Sequence, residues 1–124
     1  MKTVETDAGP VGVLTPEEVY HGLEAGEIAL IDVRTPQEYM FEHVHGAMLM
    51  PMAFFRPATL PGGKGKTVVI HCGSGARSLK MAQKALSEGV SGIAHMEGGM
   101  GAWKEAKLPY IGTDMATGAP KRMG

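Results

Sequence analysis

The sequence predicts an α/β domain with a largely parallel central sheet of about five strands and helices on both faces. The continuous apolar run at residues 28–31 and the run at 67–72 are typical of strands buried on both faces. Helix-start patterns alternate with these runs. Residues 15–18 (TPEE) and 35–38 (TPQE) each combine a capping threonine, a proline at the first helical position and a glutamate three residues after the cap.

The other elements follow the same alternation. We expect further strands at residues 47–50 and 92–96, a loop at 57–65, and helices over 16–25, from 35, around 79–86 and over 100–107. Residues 1–124 are predicted to form a single domain. Its ordered core is expected at about 11–110, followed by an irregular tail at 111–124, where no periodicity is visible.

Charge and cysteine content exclude several classes of protein. Twelve Lys and Arg against thirteen Asp and Glu give a net charge of −1, without any block of like charge, so a nucleic acid or an anionic membrane is not an expected partner. A single cysteine excludes an internal disulfide. The first residues, MKTVETDAGPVG, lack the apolar core of a secretory signal, and a reducing, cytoplasmic setting is expected.

The only cysteine lies in the stretch HCGSGARS at residues 71–78. Cys72 directly follows a predicted strand, at the carboxyl edge where the sites of open α/β sheets gather. A glycine-rich turn leading into a helix directs backbone N–H groups inward and adds the field of the helix, which favours a thiolate. The sequence therefore predicts a cysteine nucleophile in an anion-binding loop. This loop comprises Gly73, Ser74, Gly75, Ala76, Arg77 and Ser78.

The length of the loop bears on the group that the cysteine carries. Four residues separate Cys72 from Arg77, whereas the otherwise similar loop of cysteine phosphatases has one residue more. A tighter ring suits one bound sulfur, as a persulfide on the cysteine, better than a phosphate.

Three further segments resemble motifs of the rhodanese family of sulfurtransferases. Residues 31–34 (IDVR) with Glu38 and Tyr39 are similar to its first motif, and residues 43–47 (HVHGA) to its second. Residues 98–103 (GGMGAW), with Leu108 and Pro109 after them, are similar to the closing motif. One departure is Glu42, where the family usually has glycine. The resemblance implies a single rhodanese-like domain.

The resemblance also implies a reaction without a cofactor. A sulfane sulfur would move from a small anionic donor such as thiosulfate to cyanide or a thiol, which a partner protein could carry, through a persulfide on Cys72. Arg77 would attract the donor or brace the loop, two roles that the sequence leaves open. Ser78 would bind the thiolate or, as is favoured, cap the helix. Asp32 and Arg34 would support the loop, with Arg34 paired to Glu38 or Glu42.

Two other classes of function stay open at this point. A cysteine phosphatase or arsenate reductase needs the same thiolate but is disfavoured by the shorter loop, and a non-catalytic binding module has no need of the cysteine. His43 and His45 lack further ligands at matching spacing, so no metal site is predicted. His71 is expected to be structural, because neighbouring strand residues face opposite sides of a sheet.

Overall fold

The computed structural model describes residues 2–61 and 65–124. Within these residues the strands are β1 (Lys2–Thr6), β2 (Gly9–Leu14), β3 (Ile28–Asp32), β4 (Met48–Leu49), β5 (Thr67–His71), β6 (Ala94–Met96), β7 (Tyr110–Thr113) and β8 (Pro120–Met123). The α-helices are α1 (Pro16–Glu24), α2 (Pro36–Phe41), α3 (Ala76–Ser87) and α4 (Gly99–Glu105). Short 3₁₀ turns cover Met52–Phe54 and Pro57–Thr59.

The main sheet has the strand order β1-β2-β6-β5-β3-β4. The five neighbouring strands β2, β6, β5, β3 and β4 run parallel to one another, and β1 pairs antiparallel to β2 at the edge. This mostly parallel sheet confirms the predicted α/β class. The described sheet has six strands rather than about five. The expectation missed β2 because glycine and proline at Gly9, Pro10 and Gly12 interrupt its apolar pattern, and it missed β1 because Val4 is the one apolar residue of that strand.

The core lies on both faces of the sheet, and β5 divides it. Val68 and Ile70 pack on the side of α3, where Met81 is buried. Val69, which points to the opposite face, packs with Trp103 of α4. Every residue of β5 after the first is buried, so this strand is held from both sides. The residue that follows it is thereby fixed at the carboxyl edge.

Both predicted capping boxes are confirmed. The Thr15 hydroxyl accepts a hydrogen bond from the Glu18 N–H at 3.2 Å, and the Glu18 carboxylate accepts one from the Thr15 N–H at 2.8 Å. Thr35 and Glu38 form the same pair at the start of α2. This helix is short because Glu42, its C-cap, turns to an extended conformation with φ −160° and ψ 141°.

The C-terminal residues are more regular than expected. The prediction of an irregular tail at 111–124 was wrong, because β7 and β8 form an antiparallel hairpin. The Asp114 carboxylate closes the turn by accepting hydrogen bonds from the backbone N–H groups of Ala116 and Thr117. Ile111 also pairs with His43 through two backbone hydrogen bonds, which ties the hairpin to the segment after α2.

Two further findings concern the described parts of the chain. The predicted loop at 57–65 contains the 3₁₀ turn Pro57–Thr59, and its residues 62–64 lie outside the described residues. In the ranges 2–61 and 65–124, no helix combines the length and the apolar character needed to traverse a lipid bilayer.

Candidate active site

The candidate site lies where β5 ends. Cys72 follows the last residue of β5, between the parallel neighbours β3 and β6. The loop then turns into α3, whose N-cap is Gly75 at φ +108°. Only glycine adopts this conformation without strain, and a β-carbon there would lie 3.3 Å from the backbone nitrogen of Gly98. The second glycine of the loop is therefore required by its backbone conformation.

The Cys72 sulfur accepts hydrogen bonds from the loop backbone. The N–H groups of Gly75 and Ser78 donate to Sγ at 3.1 and 3.3 Å. Cys72 is 0 % exposed, and this burial raises the pKa of its thiol. Hydrogen bonds from Ser78, Gly75 and Ser74 oppose this effect of burial, and together they bring the pKa of the thiol below its ordinary value. The arrangement favours a thiolate at a covered position.

The first turn of α4 holds the loop from the other side. The Met100 N–H donates to the Cys72 carbonyl oxygen at 2.8 Å, and the Gly101 N–H donates to that of Gly73 at 3.1 Å. Gly99 passes so close to this backbone that a β-carbon would lie 2.4 Å from the Cys72 carbonyl oxygen. Because both carbonyl groups are bound by α4, the first two peptide units of the loop are fixed in place.

Arg77 is engaged by Glu38 of α2. Its two terminal nitrogens donate to the two carboxylate oxygens at 2.9 and 3.0 Å. The hydrogen bond from Arg77 lowers the pKa of Glu38 to about 2, and the same bond raises the pKa of Arg77. A β-carbon on Gly73 would lie 3.1 Å from Nη2, so the guanidinium group lies against the start of the loop. In this geometry Arg77 braces the loop to α2.

The expectation that Ser78 caps α3 was wrong. The cap position belongs to Gly75, and Ser78 lies one turn inside the helix. Its hydroxyl group donates to the Gly75 carbonyl oxygen at 3.1 Å and lies 2.9 Å from His95 Nδ1. Ser74 and Ala76, the other loop residues, are exposed.

Asp32 and Arg34 form a buried ion pair next to the loop. Arg34 Nη2 lies 2.8 Å from Asp32 Oδ2, and the two residues are 3 % and 0 % exposed. Arg34 also donates to the Glu42 carbonyl oxygen at 2.7 Å. The prediction of an ion pair with Glu38 or Glu42 was wrong, because the Glu38 carboxylate is bound by Arg77 and that of Glu42 by Lys104, and Glu42 contacts Arg34 only through its backbone carbonyl.

His71 is buried beside this ion pair, as a structural histidine would be. Its Nε2 lies 3.5 Å from Asp32 Oδ2, the residue opposite it in the β3–β5 register. Burial lowers the pKa of His71. His43, one of the two histidines considered as metal ligands, stacks on the Tyr39 ring with the ring centroids 4.0 Å apart, and the second, His45, is exposed. Within residues 2–61 and 65–124, no three His, Cys, Asp or Glu residues are grouped so that they could hold a metal ion.

Sequence reasoning missed three contributors to the site. It noted Glu38 but not its bond to Arg77, and it assigned no role to His95 or Gly99. His95 lies in β6 and Gly99 just after it, so the convergence of parallel strand ends at one edge was the signal that could have found them.

Comparison with known families agrees with this geometry. The model of the rhodanese-like domain matches residues 15–106. This range includes the loop, the strand β5 with its neighbours β3 and β6, and α4. The chain belongs to the rhodanese-like domain family. The expected resemblance is thereby confirmed.

Three of the relatives of this rhodanese-like domain show how far the sequence similarity extends. An uncharacterized protein of Synechocystis, slr1261, is 39 % identical over 83 % of this chain and 58 % of its own length. A probable adenylyltransferase/sulfurtransferase of Mycobacterium tuberculosis, MoeZ, is 35 % identical over 77 % of this chain and 25 % of its own length. A sulfurtransferase of Allochromatium vinosum is 32 % identical over 68 % of this chain and 79 % of its own length. The chain thus spans only part of the first two proteins.

A solved structure has the same fold. It belongs to a Rhodopseudomonas palustris protein of unknown function, described as a possible tyrosine phosphatase, which is 25 % identical to this chain. The two superpose with a TM-score of 0.68 over 80 % of this chain and 83 % of the other.

Proposed function

We propose that this rhodanese-like domain is a sulfurtransferase that moves a sulfane sulfur through a persulfide on Cys72. The observation that carries the proposal is the position of the only cysteine, whose sulfur accepts two backbone N–H bonds at the start of α3. The sulfurtransferase of Allochromatium vinosum, which aligns over most of both chains, supports it. The donor is a small anionic sulfur compound such as thiosulfate, and the acceptor is cyanide or a thiol.

The reaction has two displacement steps. The Cys72 thiolate attacks the outer sulfur of thiosulfate, the S–S bond of the donor breaks, and its electron pair leaves with sulfite. The terminal sulfur of the resulting persulfide is negatively charged, and the N–H groups of the loop stabilise it. An acceptor nucleophile then attacks this terminal sulfur, and the electron pair of the persulfide bond returns to Cys72 as thiolate.

The donor reaches a covered sulfur only after a displacement of the loop surface. Cys72 is 0 % exposed, and the Arg77 guanidinium lies against the adjoining Gly73. Movement of Arg77 away from Glu38 would uncover this part of the loop and would present a cation to the donor. We therefore assign Arg77 both roles in turn, as a brace in the resting protein and as a donor-binding group during turnover.

The variant Glu38→Gln tests this assignment. It removes the negative charge that engages Arg77 but keeps a side chain able to cap α2. We expect the KM for thiosulfate to fall about fivefold, because one opposing charge close to the donor is removed. Steady-state kinetics with thiosulfate and cyanide measure the change.

The variant Glu42→Gln is the matched control. It changes the net charge equally and breaks a comparable ion pair, Glu42 with Lys104 at 2.7 Å, but leaves the bond between Glu38 and Arg77 intact. An equal fall of KM in both variants would contradict a specific role for Arg77.

Intact-protein mass spectrometry tests the proposed function itself. After incubation with thiosulfate, the protein is expected to gain the mass of one sulfur, and cyanide should remove it as thiocyanate. Cys72→Ser, which leaves the chain without a thiol, should gain nothing. The absence of a sulfur adduct with thiosulfate, mercaptopyruvate and a low-molecular-weight persulfide would refute the mechanism.

The Rhodopseudomonas palustris neighbour gives a reason to test a second function, cysteine-dependent phosphatase activity. The loop of four residues between Cys72 and Arg77 argues against it, because it leaves less room for a tetrahedral phosphate. Turnover of an aryl phosphate that is lost in Cys72→Ser would favour this second function.

A further inference from the structure

His95 is a buried histidine of β6 whose imidazole ring reaches the start of α3. Its strand neighbours Ala94 and Met96 pack into the core on the α4 side of the sheet, so the His95 side chain lies on the opposite side, towards α3. Its Nδ1 lies 2.9 Å from Ser78 Oγ, and the two residues are 7 % and 0 % exposed. The sulfur-transfer steps proposed above give this buried polar contact no role.

The hydrogen bonds of Ser78 fix the direction of the contact. A serine hydroxyl has one proton to donate, and its oxygen accepts through lone pairs. The Ser78 hydroxyl donates to the Gly75 carbonyl oxygen at 3.1 Å, and a carbonyl oxygen can only accept. Because the hydroxyl proton is used in this bond, Ser78 Oγ accepts from His95, and Nδ1 carries the proton. The neutral ring then has its lone pair on Nε2.

The Ser78 hydroxyl joins the two residues that bind the sulfur. The N–H groups of Gly75 and Ser78 donate to Cys72 Sγ at 3.1 and 3.3 Å, and the hydroxyl links the carbonyl group of the first residue to the side chain of the second. Gly75, at φ +108°, has no side chain that would restrict its backbone rotation. A hydrogen bond to its carbonyl group supplies that restriction, so the two donors stay in a fixed relation.

We propose that His95 is a positioning residue of the sulfur site and that it acts through Ser78. As the Nδ1–H tautomer, it fixes the Ser78 hydroxyl in the direction of the Gly75 carbonyl group. The N–H donors of the loop are thereby held on the Cys72 thiolate. A donor at one end of such a chain also strengthens the next bond by polarising it. The inference rests on the proposed role of Cys72 as nucleophile, and no proton moves along the chain.

The surroundings of His95 favour the neutral ring. In the sheet it lies between the apolar residues Val13 of β2 and Ile70 of β5. Burial lowers the pKa of His95, and the nearby charge of Glu97 opposes that effect. A further proton would bind Nε2, because Nδ1 already carries one. The bond to Ser78 is therefore retained in both charge states of the ring.

Nitrogen NMR of the imidazole ring tests the direction of the contact in the wild-type protein. A ring nitrogen that carries a proton and one that does not have well-separated chemical shifts, so the spectrum identifies the tautomer. Neutral His95 should carry its proton on Nδ1, and the signal that disappears in His95→Asn is assigned to it. A neutral ring with the proton on Nε2 would overturn the proposal.

Two substitutions separate the N–H donor from the space that the ring fills. His95→Leu keeps an apolar side chain without a donor, and the thiolate fraction at neutral pH should fall about threefold, the effect of one weakened hydrogen bond. His95→Asn, whose amide nitrogen can take the place of Nδ1, should restore most of this fraction. The ultraviolet absorbance of the thiolate measures it, since the chain has no other cysteine. His45→Gln, at an exposed histidine, is the control and should leave the thiol titration unchanged.

Ser78→Ala tests whether His95 acts through Ser78. In this background His95→Leu should change the thiol titration no further, because the chain is already broken. Equal effects of His95→Leu with and without Ser78, or no effect of His95→Leu on the thiol, would refute the positioning role even if sulfur transfer occurs. The titrations need no sulfur donor, so the expected results without sulfur transfer would support the positioning role and leave the proposed function to fail alone.

Discussion

Gly99→Ala is expected to destabilise the protein by about 3 kcal/mol or more. The added β-carbon would lie 2.4 Å from the Cys72 carbonyl oxygen and 2.6 Å from the carbonyl carbon of Gly73. These are backbone atoms that cannot rotate away, and Gly99 itself has φ +59°. Relief requires α4 to move off the loop, which would break the bond from Met100 to Cys72. Urea unfolding measures the loss of stability.

Gly101→Ala, in the same helix turn, is the matched control. A β-carbon there would lie 3.6 Å from the Gly73 carbonyl oxygen, an ordinary contact, and the residue is exposed. Because alanine is the better helix former by about 1 kcal/mol, this variant should be as stable as wild type or more so. Equal destabilisation by the two substitutions would show that close backbone approach is not the cause.

Arg34→Leu is the second substitution with a large expected effect, a loss of about 3–5 kcal/mol. It leaves the Asp32 carboxylate, which is 0 % exposed, without the guanidinium that accompanies it. An unpaired charge in the interior is far less favourable than a paired one. The free energy of unfolding at neutral pH, from chemical denaturation, gives the size of the effect.

The double variant Asp32→Asn, Arg34→Leu tests the physical reason. If the isolated charge causes the loss, removing it should recover part of the stability, so the double variant should be more stable than Arg34→Leu alone. Additive losses in the double-mutant cycle would instead assign the effect to packing and to the lost bond with the Glu42 carbonyl oxygen.

Local patterns explain which parts of the fold the sequence could predict. The caps at Thr15 and Thr35 and the buried strands β3 and β5 depend on neighbours within a few residues, and these predictions were confirmed. The C-terminal hairpin depends on a turn at Asp114 and on pairing with distant His43, for which the local pattern carries no signal.

The candidate site divides in the same way. The loop could be predicted because its residues are consecutive. The partners of Arg77 and Ser78 could not, since Glu38 and His95 approach them only through the order of the strands. Arg34 shows that charge alone does not identify an ion-pair partner. Asp32, Glu38 and Glu42 are all near it in sequence, and the ion pair forms with the buried Asp32.

The covered sulfur also governs how the protein is damaged. Peroxide oxidises a cysteine readily when its thiol is both ionised and exposed to solvent. The Cys72 thiol has a lowered pKa but is not exposed. The resting protein should therefore resist conversion to irreversible sulfinic and sulfonic acids better than its lowered thiol pKa alone would suggest. On the proposed mechanism, the sulfur would be vulnerable only while the loop is open to admit the donor, so that oxidative inactivation should accompany turnover rather than storage.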